Sequence, residues 1–339
     1  MQAERFDYKL PQGLIAQKPI SPRDSAKLLV YSRKTGKVAH AKFSDLPKHL
    51  PHGAVLVMNE TRVLPARLSL IRATGGRVRA LFLEEGRYGF KFLADRHLKI
   101  GEVLRGPRQI SFTVISKSVR EYIFEPSFAV NKIYSVLERY GAAPVPPYIK
   151  DSPLSTRELR AQYQTLFAKN TGSVAAPTAS LHFTKRLLRS LKSSGIELRF
   201  ITLHVGLGTF APLSAKSFRQ NRLHRERYEI SRGTSVALER AKRDGRPIIA
   251  VGTTVVRALE SAARRGRLAK LSGETTLFIH EPYKFGFIDG LVTNFHVPKS
   301  GLMMLVAALT GRAELLRLYK LAIRRQYRFF SFGDAMLVL

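Results

Sequence analysis

The sequence predicts an α/β protein: a largely parallel sheet core flanked by helices, with an inserted small β-barrel-like domain. After residue 150, segments typical of strands alternate with segments typical of helices, as in a sheet covered by helices. Between 67 and 150, short runs rich in β-forming residues follow one another instead. A stiff, proline-rich stretch at 142–148 separates the two regions. We therefore predict an α/β core from 1–66 and 151–339 and an inserted all-β domain at 67–150.

The strands of the N-terminal half are predicted from short apolar runs bounded by Gly and Pro. Two such runs, at 28–31 and 54–59, precede the insertion and belong to the core. Within the insertion, Val78, Ala80 and Phe82 fall on one face at a period of two residues, as in a strand with one buried side. The predicted elements of the inserted domain are strands at 67–73, 77–83, 88–93, 109–116 and 120–124 and a helix at 129–140.

The C-terminal region is predicted to alternate between helices and strands. Thr184 is placed to cap a helix that runs through Lys192, and Thr253 or Thr254 is placed to cap another that reaches about Arg265. The remaining predicted elements are strands at 198–205, 247–251 and 335–339, strand character again from 278, and helices at 234–243, 302–309 and 313–325.

The chain is strongly basic, with 57 Lys and Arg against 25 Asp and Glu and a formal net charge of +32. A surplus of this size attracts polyanions, either the phosphate backbone of a nucleic acid or an anionic membrane surface. The basic runs at 219–227, 264–270 and 320–328 are candidates for such contacts, although a charge run is also typical of a solvated face. If a nucleic acid is the partner, binding should weaken steeply as salt rises.

Several classes of protein are excluded or lack support. The chain has no cysteine, which excludes disulfides, thiolate nucleophiles and cysteine-bound zinc. It also lacks H-E-x-x-H, P-loop and G-x-S-x-G motifs, which leaves metalloprotease, NTPase and hydrolase interpretations unsupported. The N-terminus has no apolar signal segment, and the longest apolar run, at 302–309, is too short to span a membrane. We expect a soluble cytoplasmic protein with no membrane association and no metal.

Two histidines mark the segment that most clearly suggests a reaction site. His182 and His204 lie beside Gly, Ser and Thr in segments too apolar to be solvent loops. Small residues let the backbone approach a ligand, and imidazoles move protons near neutral pH. The stretch 206–211 also fits the loose G-x-G-x-x-A pattern of a dinucleotide loop, but Pro212 disfavours the helix that this pattern requires.

Two further polar clusters accompany predicted strands. At 249–254 a strand–loop–helix junction offers N–H groups that suit a carboxylate or phosphate, although every such junction also needs an N-cap. At 289–300 an acid, an amide, an imidazole and an ammonium group occur within twelve residues around a proline turn. If 291–295 is a strand, Asn294 and His296 share one face. Such a concentration of polar groups suggests a site.

Ordered motifs along nearly the whole chain resemble one family closely. They are Phe6-Asp7-Tyr8, Pro22-Arg23-Asp24, Asn59-Glu60-Thr61-Arg62-Val63, Tyr163-Gln164-Thr165, and the stretches 172–178, 203–210, 251–254, 293–300 and 329–336. In these motifs the chain resembles the S-adenosylmethionine:tRNA ribosyltransferase-isomerase family of queuosine biosynthesis. So many matches in the same order are specific.

The resemblance implies an enzyme that uses S-adenosylmethionine as a co-substrate. Its ribosyl moiety would be transferred onto 7-aminomethyl-7-deazaguanine at the tRNA wobble position and isomerised, so that adenine and methionine leave and epoxyqueuosine forms. The implied partner is a tRNA with a GUN-type anticodon that carries the deazaguanine precursor, and we expect a monomer. No step of this chemistry demands a metal.

This chemistry needs a base tuned near neutrality, a donor to the purine, and N–H groups or a cation for the methionine carboxylate. His182, His204 and His296 lie in small-residue, largely apolar motifs that tune an imidazole, so they are the catalytic candidates together with Asp289. The expected substrate-binding residues are Asn59, Thr61, Arg62, Pro177, Thr178, Gly206, Gly208, Thr209, Thr253, Thr254, Asn294, Lys299, Ser300, Ser331 and Asp334.

Some positions depart from the family pattern. Glu60 stands where Asp is usual, and Ser180 replaces a Gly. Ala142 and Asn221 stand where the family commonly has His. If the protein is active, neither of these missing imidazoles is its indispensable base.

The alternative is a non-catalytic basic RNA-binding protein, because net charge alone does not separate a binder from an enzyme. A pure binder relies on exposed Lys, Arg and aromatic residues. The His, Thr, Asn and Asp clusters of this chain lie in apolar surroundings instead, which favours an enzyme.

Overall fold

The computed structural model describes residues 3–119, 121–206, 213 and 215–339. The helices among them are α1 Leu46–His49, α2 Ile133–Tyr140, α3 Thr156–Gln162, α4 Lys185–Ser193, α5 Ala215–Gln220, α6 Arg232–Arg243, α7 Thr253–Ala262, α8 Gly301–Thr310 and α9 Arg312–Arg324. The strands are β1 Lys27–Tyr31, β2 Val38–Lys42, β3 Val55–Asn59, β4 Thr61–Val63, β5 Arg67–Arg72, β6 Arg77–Gly86, β7 Gly89–Ala94, β8 Val103–Arg105, β9 Ser111–Ser118, β10 Glu121–Pro126, β11 Asn170–Ser173, β12 Glu197–Leu203, β13 Arg222–Glu229, β14 Ile248–Val251, β15 Ala263–Arg264, β16 Arg267–Leu268, β17 Ser272–Leu277, β18 Gly290–Asn294 and β19 Ala335–Val338.

A nine-stranded sheet forms the centre of the α/β core, in the order β17-β13-β12-β3-β14-β18-β19-β1-β2. The predicted α/β class is confirmed. In the middle of the sheet β12, β3, β14 and β18 all run in the same direction, and β19 and β1 form a second parallel pair. β19 runs against β18, and the outer strands β2, β13 and β17 also pair antiparallel with their neighbours, which makes the sheet mixed.

Both faces of the central strands are buried. In β3, Val55 and Val57 join one apolar cluster with residues of α6, α7, α8 and α9. Leu56 and Met58 point the other way and pack with residues of α1 and α4. A strand covered on both faces has a continuous apolar run rather than an alternating one, as the sequence of β3 does.

The direction of the strands determines where polar residues gather. Because the four central strands are parallel, their carboxyl ends meet at one edge of the sheet. β19 runs the opposite way, so its amino end, preceded by Asp334, lies at this same edge. We refer to it as the carboxyl edge of the sheet.

The region between the first core strands and α3 contains a closed six-stranded barrel in the order β10-β7-β6-β5-β8-β9. Each predicted strand of this region is present, and the expected barrel-like insertion is confirmed. The barrel also contains β8, which was not predicted because its three residues offer only two apolar side chains and no alternation. The residues inside it, mainly Phe, Leu and Val, form a separate core to which α2 adds Ile133 and Leu137. The domain limits at 66/67 and 150/151 stay a prediction.

Two predicted elements are placed differently by the structure. The helix predicted to reach about Arg265 ends at Ala262, because the chain reverses at Arg265 and Gly266, both with positive φ, to form the β15–β16 hairpin. The helix is capped at its start by Gly252 rather than by a threonine. A strand was expected from 278 onward, but the strand β17 ends at Leu277, just before that position. It was not predicted because its sequence is mainly polar.

Among the described residues, no helix combines the length and apolarity needed to cross a membrane.

Gly141 joins the end of α2 to the barrel entrance and should not tolerate a side chain. A Cβ there would lie 1.8 Å from the Pro65 carbonyl oxygen and 2.5 Å from that of Leu137. We expect Gly141→Ala to lower the free energy of unfolding by at least about 2 kcal/mol, because backbone atoms must move apart. Urea denaturation measures this free energy of unfolding. Gly233→Ala is the control, because a Cβ at Gly233 would meet no atom within 4 Å. Equal midpoints for both variants would contradict the packing described here.

Candidate functional site

A cavity of about 380 Å³ opens at the carboxyl edge of the sheet. Its walls come from the segments that follow β12, β14 and β18 and from the chain just before β19. Most of the surface is apolar, with a few polar groups among the lining residues. A concave, mainly apolar cavity of this size at the ends of parallel strands is typical of a small-molecule site.

The Asn59 side chain is hydrogen-bonded to three segments near this cavity: the start of β4, the end of β12 and the start of α7. It is fully buried at the end of β3. Its Oδ1 accepts hydrogen bonds from the backbone N–H groups of Thr61 and Leu203, both at 3.1 Å. Its Nδ2 donates to the Leu203 carbonyl at 2.9 Å and to Thr254 Oγ1 at 3.4 Å. One amide therefore connects the ends of β3 and β12 with the start of α7.

His296 lines the cavity and is held from three sides. Its carbonyl accepts a hydrogen bond from Tyr8 Oη at 2.5 Å, and its N–H donates to Tyr319 Oη at 2.9 Å. Its Nε2 lies 2.8 Å from Thr293 Oγ1. Burial lowers the pKa of His296 to about 4, so the imidazole is neutral at pH 7.

His182 lies behind the cavity wall and reaches it through Asn294. Thr178 Oγ1 donates to Asn294 Oδ1 at 3.0 Å, and Asn294 Nδ2 is 3.3 Å from His182 Nε2. The amide donates, so Nε2 accepts and the imidazole carries its proton on Nδ1. Burial, and to a lesser degree the positive charge of Arg328, lowers the pKa of His182 to about 3. Asn294 and Thr178 face the cavity, while His182 supports them.

His204 is half-buried beside the end of β12. Its Nδ1 lies 2.9 Å from Thr61 Oγ1. Gly172, at φ +152°, leaves room for the ring, since a Cβ there would lie 2.9 Å from two of the imidazole atoms. Burial, together with the charge of Arg227, lowers the pKa of His204 below its ordinary value. This histidine therefore forms a second polar pair next to the Asn59 connection.

The N-terminus of α7 forms a polar part of the cavity wall. Gly252 has φ +92° and supplies no side-chain cap, and Thr253 and Thr254 follow as the first helical residues. The positive end of the helix dipole therefore faces the cavity. Lys299, at another part of the wall, is paired with Asp7 at 3.0 Å.

Sequence reasoning missed the aromatic residues of the wall. The Tyr148 and Phe330 rings lie 4.8 Å apart, and Tyr148 Oη is 2.7 Å from Ser331 Oγ. Burial raises the pKa of Tyr148 to about 12, so its hydroxyl stays protonated and can donate a hydrogen bond. The proline-rich stretch indicated an extended linker, but nothing in it indicated that its tyrosine faces a site.

Asp289 does not belong with the other predicted catalytic residues. It is exposed at the amino end of β18, where its carboxylate accepts the Ile248 N–H at 2.8 Å. The chain advances about 16 Å along the strand in the five steps from Asp289 to Asn294, so the two side chains are at opposite edges of the sheet. This placement does not favour a catalytic role for Asp289, which stays a prediction.

Asp334 is at the carboxyl edge but is already engaged. Its buried carboxylate accepts backbone N–H groups of Lys27 at 3.1 Å and Arg328 at 2.7 Å, and also the Arg328 guanidinium at 3.2 Å. Because the carboxylate accepts hydrogen bonds from these three donors, it holds the amino ends of β1 and β19 together. These contacts give Asp334 a structural role, and its role in binding substrate stays a prediction.

The other predicted residues divide into those on the cavity wall and those elsewhere. Ser300 is on the wall, but its hydroxyl caps α8 through the Met303 N–H at 3.3 Å. The Gly206 N–H donates to Glu226, which is in a buried ion pair with Arg257. Arg62 is exposed and lines a different cavity. The predicted residues on the wall are Pro177, Thr178, Thr253, Thr254, Asn294, His296, Lys299, Ser300 and Ser331. Gly208 and Thr209 lie outside the described residues.

Within the described part of the chain, no three His, Cys, Asp or Glu side chains are grouped so that they could hold a metal ion. The site therefore consists of hydroxyl, amide and imidazole groups, backbone N–H groups and apolar walls.

An α/β fold with neutral, buried imidazoles around an apolar cavity at the carboxyl ends of parallel strands defines an enzyme-type site for a small organic substrate. The profile of one family, described as queuosine biosynthesis protein, matches residues 3–338. This chain belongs to that family.

Individual relatives agree with the family match. The S-adenosylmethionine:tRNA ribosyltransferase-isomerase of Carboxydothermus hydrogenoformans is 44% identical over 345 residues, with both chains covered in full. The protein of the same name from Thermosynechococcus vestitus is 46% identical over 99% of this chain and 95% of its own length. The crystal structure of an S-adenosylmethionine tRNA ribosyltransferase from Thermotoga maritima covers 99% of this chain at 32% identity with a TM-score of 0.57.

His182 should make the protein less stable in mild acid. Its pKa is near 3 when folded and about 6.5 when unfolded, so below pH 6.5 the unfolded state binds a proton that the folded state does not. Unfolding therefore becomes easier as pH falls from 6.5 towards 3, by up to about 1.4 kcal/mol per pH unit. Urea denaturation measures the free energy of unfolding at several pH values between 4.5 and 6.5. The slope of this free energy against pH should be smaller in His182→Gln than in the parent, by up to about 1.4 kcal/mol per pH unit. An exposed control, His52→Gln, should keep the parental slope; a parental slope in His182→Gln would refute the burial effect.

Proposed function

We propose that this chain transfers and isomerises the ribosyl moiety of S-adenosylmethionine onto 7-aminomethyl-7-deazaguanine at the tRNA wobble position. The products are tRNA carrying epoxyqueuosine, adenine and methionine. The observation that carries the proposal is the cavity at the carboxyl edge with a neutral imidazole in its wall, in a chain similar over its full length to ribosyltransferase-isomerases. A non-catalytic RNA-binding protein is not favoured, because these relatives carry the name of an enzyme.

The cavity fits S-adenosylmethionine in size and in chemistry. Its volume of about 380 Å³ lies in the range of small-molecule sites, and it is large relative to a single side chain. Apolar wall residues such as Val205, Phe295 and Leu302 suit the purine and the methionine chain. The uncapped start of α7 suits the carboxylate of the methionine moiety, because helix N-termini favour anions. The co-substrate supplies the sulfonium-activated ribosyl group.

We assign the role of general base to His296. It is the one of the three candidate histidines among the described wall residues of the cavity. Burial lowers its pKa to about 4, so the imidazole is unprotonated at pH 7 and has a lone pair for the acidic proton next to the sulfonium, but it is a weaker base than an imidazole tuned near neutrality. Thr293, 2.8 Å from Nε2, orients the ring. The hydroxyls of Tyr8 and Tyr319 fix its backbone.

The other two histidines act as positioning residues in this proposal. His182 holds the Asn294 amide, which with Thr178 presents polar atoms to the substrate. His204 holds Thr61 next to the Asn59 connection. The aromatic pair Tyr148 and Phe330 offers a flat surface on which a base stacks, and the Tyr148 hydroxyl supplies a donor.

The partner in this proposal is a tRNA with a GUN-type anticodon that carries the deazaguanine precursor, bound by a monomer. The net charge of +32 supports a polyanionic substrate. The relatives named above are ribosyltransferases of tRNA, which supports the same class of substrate.

The direct test is a single-turnover assay with S-adenosylmethionine and tRNA that carries the precursor base. We expect adenine and methionine to be released in equal amounts, one of each for every modified base, with and without a chelator. Mass analysis of the tRNA nucleosides identifies the product. A methylated base, or release of adenine without tRNA modification, would refute the proposed reaction.

Replacing His296 should slow the reaction without unfolding the protein. Loss of a general base costs about two to four orders of magnitude in rate, so His296→Ala should lose that much single-turnover activity while still binding S-adenosylmethionine. Thr293→Val keeps the side-chain shape and should lose less. His52→Ala, an exposed histidine outside the cavity, is the matched control and should keep the parental rate. A near-parental rate in His296→Ala, at parental thermal stability, would remove His296 from this role.

A further inference from the structure

A second cavity, of about 270 Å³, lies next to the first but does not belong to it. It is bounded by β4, by the chain that enters the barrel, by the end of α2 and by α3. Ala143 and Tyr163 line this second cavity, and Tyr148 and Ala176 line the first. These four residues pack in one apolar cluster, which connects the walls of the two cavities.

Three arginines line the second cavity, and one of them is already neutralised. Arg160 Nη2 pairs with the Glu138 carboxylate at 2.7 Å. Its Nη1 donates to the carbonyl oxygens of Glu138 at 2.8 Å and Gly141 at 3.4 Å, which are at the end of α2. Arg160 thus joins α3 to α2, and its charge is compensated by a carboxylate and by the negative end of a helix dipole.

The other two arginines, Arg62 and Arg157, have no such partner. Both are exposed, and the side chain of neither makes a hydrogen bond or an ion pair with any residue that the structure describes. Among the described residues that line the cavity, Glu138 is the one acidic residue, and its carboxylate is paired with Arg160. Two positive charges at the mouth of a concave surface are therefore left uncompensated.

The backbone positions of both arginines are firmly held. Arg62 is in β4, which pairs with β11 on one side. On the other side Gln164 accepts the Val63 N–H at 3.1 Å and donates to the Val63 carbonyl at 2.7 Å. Arg157 precedes Arg160 by three residues, so the two share one face of α3.

The start of α3 is held as well. Ser155 and Glu158 form a reciprocal capping box, in which Glu158 accepts the Ser155 N–H at 2.8 Å and Ser155 accepts the Glu158 N–H at 3.3 Å. Only the side chains of Arg62 and Arg157 remain to be ordered by a ligand.

We propose that this arginine cavity binds a backbone phosphate of the tRNA, close to the nucleotide whose base enters the neighbouring cavity. Guanidinium groups match phosphate oxygens in planar, paired hydrogen bonds, and two of them compensate one phosphate without a competing carboxylate. The apolar cluster that connects the two cavities places such a phosphate close to the reaction site. The inference rests on the proposed function, since it takes tRNA as the substrate.

The test is tRNA binding by the double variant Arg62→Gln/Arg157→Gln at several salt concentrations. Loss of one phosphate contact should weaken binding about tenfold and reduce the slope of log K against log salt by about 1. The matched control is Arg189→Gln/Lys192→Gln, which removes two exposed charges from α4 that line neither cavity. The control should keep the parental slope and activity, and thermal unfolding verifies that both variants are folded.

A second measurement identifies the ligand as a phosphate. A series of anticodon stem-loops, each with a single neutral methylphosphonate linkage in the loop, is bound to the parent and to the double variant. One linkage should weaken binding to the parent but have no further effect on the double variant. An unchanged salt slope in the double variant, or equal losses for every linkage in both proteins, would overturn the inference. If the unsubstituted protein binds and modifies tRNA and the double variant behaves like the control, the phosphate site is refuted and the proposed function stands. If the unsubstituted protein does not modify tRNA, the proposed function itself is refuted.

Discussion

The hydrogen bonds of one buried amide organise the site. Asn59 connects the end of β3 with the end of β12 and with Thr254 at the start of α7, all at the carboxyl edge. Through the Thr61 N–H it also directs the chain into β4, which presents Thr61 to His204 on one face and Arg62 to the second cavity on the other. An apolar residue here would leave those backbone groups buried and unpaired, which costs more than the net gain of an ordinary hydrogen bond.

Buried carboxylates hold segments together at both edges of the sheet, Asp334 at the carboxyl edge and Glu260 at the amino edge. Asp334 accepts three donors and thereby holds the chain that carries Phe330 and Ser331 against the start of β1. Glu260, near the other end of α7, accepts N–H groups of Gly286, Phe287 and Ile288 in the same manner. A carboxylate is stable inside a protein only when such donors surround it. Both residues explain how acidic groups occur deep in so basic a chain without facing a substrate.

Part of the site was predictable from the sequence by one criterion, polar residues clustered within short, largely apolar segments. Thr178, Asn294 and His296 were chosen in this way and meet on the cavity wall. The same criterion grouped Asp289 with Asn294, but a strand separates them and carries them to opposite edges. It also gave no sign of Tyr148, since a proline-rich segment has no periodicity to show which way a side chain points.

The sequence by itself determined many of the helices and strands, because each depends on neighbouring residues only. Examples are the apolar runs of the core strands, the period of two in the barrel and the Thr184 cap of α4. The charge surplus likewise indicated a polyanionic partner from composition alone. Tertiary structure decided which polar groups face a ligand. Asp334 and Asn59 resemble ligand-binding residues in the sequence, yet their side chains are occupied by backbone groups from distant segments. Pairing of the strands brings those segments together, and that pairing depends on contacts across the whole chain.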